Sequence, residues 1–241
     1  NDDFRKGLSL ALNRNDFASQ ATAGSKGFTG LLNDLYLTDI ETGEMYRNTV
    51  QGKSVYTQVY GELGGTPENP TALETSATGY NFTMATHFVA EGLKAELAKT
   101  DEDSLKPNDK LDFEFRVYDN ESESAIDAMN FLNGAFKAVI DAAVAQLKEE
   151  GVLTGGQTIT FEKLDVKKDE DYYNSAHKGN YDLIFSTWGG AAINPIGLMQ
   201  VYCDSTFTSC CEYGFMGKQN NTMLEIDLNG NGSIESHEIK S

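Results

Sequence analysis

Near the amino end, apolar residues recur every three or four positions: Phe4, Leu8, Ala11 and Leu12 fall on one face of a helix. The stripe begins with no leading loop and needs a partner to cover it, so the chain is expected to be a piece of something longer that begins inside a helix. The next stretch, FASQATAGSKGFTGLLND, is rich in Gly, Ser and Ala and predicts a loop with at most short helical turns. Residues 35–65 are polar and tyrosine-bearing, which predicts surface loop and short helix. Helical spacing returns at Ala85, Val89, Leu93 and Leu97, widened by Met84 and Phe88, and the polar run TDEDSLKPNDK ends it.

From Leu111 the period changes to two. Leu111, Phe113, Phe115 and Val117 alternate with Asp112, Glu114 and Arg116, the pattern of a strand with one wetter face. ESESAIDAMNFLNGAFKAVIDAAVAQLKEEG then predicts a long helix, with Ser124 and Asp127 as a capping box, an apolar stripe of Ala128, Leu132, Phe136, Ile140 and Val144, and Gly151 at its end. QTITFEKLDV is a second alternating strand, YYNSAHKG a short polar helix or turn, and YDLIFSTW a third strand whose continuous apolar run predicts cover on both faces. Strand, helix, strand, short helix, strand forms parallel units with right-handed crossovers, so the fold class is α/β with a parallel core from Leu111 to Trp188 flanked by helices. Ligands of such sheets gather beyond the carboxyl ends of the strands. Gly189 and Gly190 let a ligand approach the backbone there, and Trp188 offers an aromatic wall.

Charge narrows the partners. A net charge of −18 and a pI near 4.4 repel phosphate backbones and anionic lipid headgroups, with no local Lys/Arg cluster to offset them, which argues against nucleic acid. No window approaches the ~18 consecutive apolar residues of a membrane span. NDDFRKGLSL lacks the apolar run and cleavage site of a signal peptide.

Candidate chemistry is sparse. His87, His177 and His237 are far apart and outside any H-E-x-x-H frame. No G-x-S-x-G elbow, Walker loop or G-x-G-x-x-G turn occurs, and paired carboxylates are expected by chance among 37 acids, so no enzyme activity is read. Tyr172, Tyr173 and Tyr181 suit core positions better than ligand stacking. Cys203, Cys210 and Cys211 lack zinc or redox spacing, leaving either a disulfide from Cys203 to Cys210 or Cys211, or free thiols. DLNGNGSIESHE follows the calcium-loop pattern, with Asp227, Asn229, Asn231, Ser233 and Glu238 as ligand positions and Gly232 at the turn. The same residues 222–241 also read as a β-hairpin around Asn-Gly. Ca2+ is thus possible but no cofactor is required, and a calcium-binding extracellular interaction module is an alternative function.

Three segments carry a family resemblance. DFRKGLSLALNRNDFA resembles the helix and Arg-centred turn midway along the oligopeptide-binding proteins of ABC importers. VYGELGG followed by GYNFTMATHFVAEGLKAEL is similar to a later tyrosine-and-helix segment, and NYDLIFSTWGGAAINPIGLMQVYCDS to the strand-Trp-Pro segment of the second lobe. The resemblance implies a periplasmic-binding-protein type II-like clamshell, of which residues 1–241 are a single α/β lobe, the second. It implies a bacterial extracytoplasmic location, as a cell-surface lipoprotein or in the periplasm, and as partners a peptide ligand, the permease subunits and the first lobe of the same protein. Trp188 matches the family tryptophan at the ligand crevice. Ala191 stands where many members carry an Asp that pairs with the peptide amine. Gly189, Gly190, Ala191 and Asn194 are then the loop expected to touch ligand, and a non-peptide solute on the same clamshell is the other alternative.

Overall fold

Asn1 caps α1 (Asp2–Leu10), its side-chain oxygen accepting from the Phe4 N–H, while Asp2 and Asp3 place negative charge where the helix dipole favours it. The computed structural model describes residues 1–22, 25, 27, 36–52, 79–102, 104–168, 181–185, 224–225 and 239–240. After α1 the Arg14 guanidinium turns back, donating to Ser9 O at 3.0 Å and Ser9 Oγ at 2.9 Å. Asn13 then caps a second helix, α2 (Arg14–Ala21), where composition predicted loop. Its anchor is tertiary: the Phe17 ring meets Phe131 and Phe185 edge-on, with centroids 5.5 and 6.0 Å apart.

Residues 36–52 hold a small antiparallel ribbon, β1 (Leu37–Asp39) with β2 (Glu44–Met45), and a 3-10 turn at Tyr46–Asn48. The helix expected around Val89 is α3 (Phe82–Leu97), capped by Asn81 through the Met84 N–H. It buries Ala85, Val89, Ala90 and Leu93. α1 and α3 touch backbone to backbone because each has a glycine at the crossing. A Cβ on Gly92 would lie 2.7 Å from the Phe4 backbone nitrogen, and one on Gly7 would lie 2.6 Å from Val89 Cγ2.

The sheet comes next: β3 (Lys110–Val117), β4 (Thr160–Lys168) and β5 (Leu183–Phe185), in the order β4-β3-β5 and parallel throughout. A register shift between Leu111 and Asp112 leaves Glu162 as the extra residue on β4. β3 and β4 are joined through the long helix α4 (Glu123–Glu149). Every residue of its predicted stripe, Ala128, Leu132, Phe136, Ile140 and Val144, is buried. Its cap, however, is Ser122, whose hydroxyl accepts from the Ala125 N–H, not Ser124. The turn closing from Asp119 to Ser122 starts the helix early, and Ser124 Oγ instead donates to the Ala21 carbonyl of α2. At the far end Gly151 adopts φ +73°, with Val152 N–H bonding Leu147 O and Gly151 N–H bonding Lys148 O, which satisfies the last carbonyls.

The core lies between α4 and the sheet. Phe113, Phe136 and Phe161 form one aromatic cluster, and Phe115, Val117, Val139, Ile140, Leu147 and Ile159 are almost fully excluded from solvent. β5 differs from expectation. Leu183, Ile184 and Phe185 are half-buried, because β5 forms an edge of the described sheet. Near the carboxyl end, β6 (Leu224–Glu225) pairs antiparallel with β7 (Ile239–Lys240).

Candidate functional site

The parallel register levels the three strand ends. Val117 pairs with Lys168 on one side and with Phe185 on the other, so all three strands deliver their following segments to one edge. This is where an open α/β sheet meets ligand. The segment that follows β5 carries Trp188, Gly189, Gly190, Ala191 and Asn194, which lie outside the described residues, so their contacts are not part of the geometry below. Asp227, Asn229, Asn231, Ser233 and Glu238 also lie outside them, as do Cys203, Cys210, Cys211, His177 and His237. Among the described residues no three His, Cys, Asp or Glu side chains are grouped to hold a metal ion.

At this edge the described residues are those between β3 and α4. Tyr118 is 68% exposed, and Ile126, in the first turns of α4, is 42% exposed. Asp119 closes the turn, its Oδ1 accepting from the Glu121 N–H at 3.1 Å and its carbonyl from Ser122 Oγ at 2.9 Å. Between them, Asn120 Oδ1 is buried and has no hydrogen-bond partner among the described residues. Sequence reasoning passed over Asn120. DNES reads as turn and helix-start residues, and nothing local distinguishes an Asn that faces solvent from one whose oxygen is enclosed. One step back along β3, Arg116 Nε donates to Glu114 Oε1 at 2.5 Å on the wetter face that the alternation predicted.

A second hollow lies away from the edge. A cleft of about 510 Å3 runs between α1 and the start of β5, floored by Phe4, Leu8, Leu12, Phe113, Phe136 and Leu183. Its rim groups are engaged: Arg5 pairs with Asp2 at 2.5 Å, and Asp182 Oδ2 accepts from the Glu114 N–H at 2.8 Å. The cleft can take apolar bulk but offers little to orient it. A smaller hollow of about 280 Å3 beside α2 is lined by Leu12, Phe17 and Leu132 with the Arg14 side chain at its margin.

Most of the titration shifts belong to surface pairs, while Asp39 is lowered by the backbone N–H groups of Glu41 and Thr42. Glu150 is held below the usual carboxylate range first by the Gln146 amide and then by Lys94, whose own ammonium is held up by Glu150. The Lys167 ammonium, 2.6 Å away, lowers Asp165, and Glu162 raises Lys110. All of these groups are exposed enough for water to compete, which marks solvated ion pairs more than a tuned acid or base. Among the described residues no helix is long and apolar enough to cross a membrane.

Comparison with known proteins gives little. No family model matches the chain, and no curated protein matches it. Among solved structures, a crystal structure of Haemophilus influenzae OppA in complex with RPPGFSPFR is similar over 88% of this chain, at 16% identity and a TM-score of 0.36. The chain spans about a third of that protein's length, 31%.

Proposed function

We infer that this chain is one lobe of an extracytoplasmic solute-binding protein that captures oligopeptides for an ABC importer. The observation that carries the reading is the parallel order β4-β3-β5, with β5, the strand leading to Trp188, placed beside the central strand and level with its end. A parallel sheet with this strand inside it is compatible with the strand-Trp-Pro resemblance. The turn 118–122 follows the central strand at the same carboxyl edge of the sheet.

A ligand bridging this edge and the first lobe would stabilise the closed clamshell by the difference in its affinity for the closed and open states. Main-chain hydrogen bonds would provide affinity for peptides of varied sequence, with side chains left in wet pockets. Ala191 cannot pair with a peptide amine, so that end is held by other groups. The closed form, presented to the permease subunits, would release the cargo on opening.

The test is native mass spectrometry of the full-length protein purified without refolding, followed by sequencing of whatever dissociates on denaturation. A ladder of peptide masses is the expected result. A single non-peptide mass keeps the clamshell and overturns the peptide cargo, and an empty protein that takes up no added peptide overturns the reading.

A further inference from the structure

The cleft between α1 and the start of β5 is walled by one whole face of α1. Phe4, Leu8 and Leu12, the stripe whose spacing predicted a covering partner, line it together with Phe113, Phe136 and Leu183. The cover is incomplete, since Phe4 and Leu12 are only half-buried. The hollow of about 510 Å3 that remains falls within the roughly 300–1,000 Å3 of sites that enclose a small molecule. All of its lining belongs to the described residues.

What little can orient a ligand there is a pair of charged side chains of opposite sign, Arg5 on α1 and Asp182 just before β5. Asp182 is fixed against the central strand: its N–H donates to Glu114 O at 3.3 Å, and its Oδ2 accepts from the Glu114 N–H at 2.8 Å. That bond occupies one carboxylate oxygen and leaves the charge. Arg5 meets Asp2 at 2.5 Å, but the two side chains are 75% and 94% exposed. Such a pair contributes little, so a ligand carboxylate can take the place of Asp2. A ligand with one charge leaves one of the two side chains unmatched, whereas a zwitterion matches both and its apolar part covers the floor between them.

We propose that this cleft is a second binding site, one that takes a zwitterionic amino acid with an apolar side chain. The ligand carboxylate meets Arg5, its ammonium meets Asp182, and its side chain lies over Phe4, Leu8 and Phe113. The site is away from the carboxyl edge of the sheet and does not rest on the peptide-binding reading.

Saturation-transfer NMR of the full-length protein titrated with L-phenylalanine tests it. Saturable binding is the expected result, with phenylalaninamide, N-acetylphenylalanine and glycine each at least about fivefold weaker, since each lacks one of the three matched groups. Arg5→Gln is expected to weaken L-phenylalanine by about five- to tenfold and to leave phenylalaninamide, which has no carboxylate, unchanged. Asp182→Asn keeps the acceptor for the Glu114 N–H, so it retains the local fold. It is expected to weaken L-phenylalanine by a similar factor and to leave N-acetylphenylalanine, which has no ammonium, unchanged.

Absence of saturable binding overturns the proposal. So does equal affinity for L-phenylalanine, its amide and its acetyl derivative, which would leave only the apolar floor at work, a comparison that needs no variant to fold. Binding that neither substitution changes places the ligand elsewhere and overturns it too. Capture of peptides at the carboxyl edge is expected to be the same in both variants as in the wild type, so this proposal and the peptide-binding reading fail separately.

Discussion

Two helical glycines show how position decides cost. Alanine is a better helix former than glycine by roughly 1 kcal/mol. At Gly134, exposed on α4 with nothing within 4 Å of a new Cβ, that preference acts alone, so Gly134→Ala is expected to stabilise by about 0.5–1 kcal/mol. At Gly92 the new methyl would meet the backbone of Phe4 at 2.7 Å, and backbone cannot swing away. Gly92→Ala is therefore expected to destabilise by about 1–3 kcal/mol as α1 is pushed off α3. Urea unfolding of both variants checks the signs, and a stabilised Gly92→Ala would mean that α1 does not pack on α3 as described. The same dependence governs the asparagines. Asn1, Asn13 and Asn81 each cap a helix by accepting a backbone N–H two or three residues on, whereas Asn120 Oδ1 meets no donor among the described residues.

At the scale of elements, α4 was legible almost to the residue, because five predicted stripe positions and the terminal glycine all lie on one strongly periodic segment. What the pattern did not reveal is how α4 holds β4. Asn133 Oδ1 accepts the Leu164 N–H at 2.8 Å, a tether from helix to strand just after the register shift near Glu162. Leu164 is buried, so without that acceptor its N–H goes unmet. Asn133→Ala is expected to cost about 1–3 kcal/mol, against a near-neutral change for Asn130→Ala on the exposed face of the same helix. Equal unfolding midpoints for the two would show that the tether contributes nothing. α2 was missed for a related reason: its eight residues have little periodicity, and Phe17 is ordered by rings from α4 and β5 that are distant in sequence. The cap at Ser122 was missed because two serines, two residues apart, satisfy the same local rule, and the turn from Asp119 chose between them.

For the molecule as a whole, charge sets the response to solution conditions. With 37 acids against 19 bases, self-repulsion acts on the entire folded chain, while each surface pair is screened and contributes little. Raising salt at neutral pH from about 10 mM to about 150 mM, which shortens the screening length from ~30 to ~8 Å, is expected to raise the melting temperature. A fall would mean that the ion pairs outweigh the repulsion. The pH dependence has a definite sign. Glu96 and Glu150 are depressed from 4.5, and Asp39 and Asp165 from 3.8. Their stabilisation is complete above those ordinary values and is lost as pH falls through the lower folded ones. Lys94, Lys110 and Lys167 are raised from 10.5, so their share is present below 10.5 and is lost as pH climbs through the higher folded values. Together these contributions span a plateau between about pH 4.5 and 10.5, which melting curves in low salt would trace.

The sequence by itself determined what depends on short-range periodicity and composition: the α/β class, a strand beginning near Leu111, a helix carrying Ala85 to Leu97, a long helix ending at Gly151, and a strongly acidic composition. Those features follow from spacing along one segment, where each residue's partner lies within a turn or a strand step. Only the tertiary structure decided the order β4-β3-β5, the glycine crossing of α1 with α3, the helix at 14–21 and the enclosure of Asn120 Oδ1. Each of these depends on groups brought together from distant parts of the chain, and no local pattern specifies which distant group arrives.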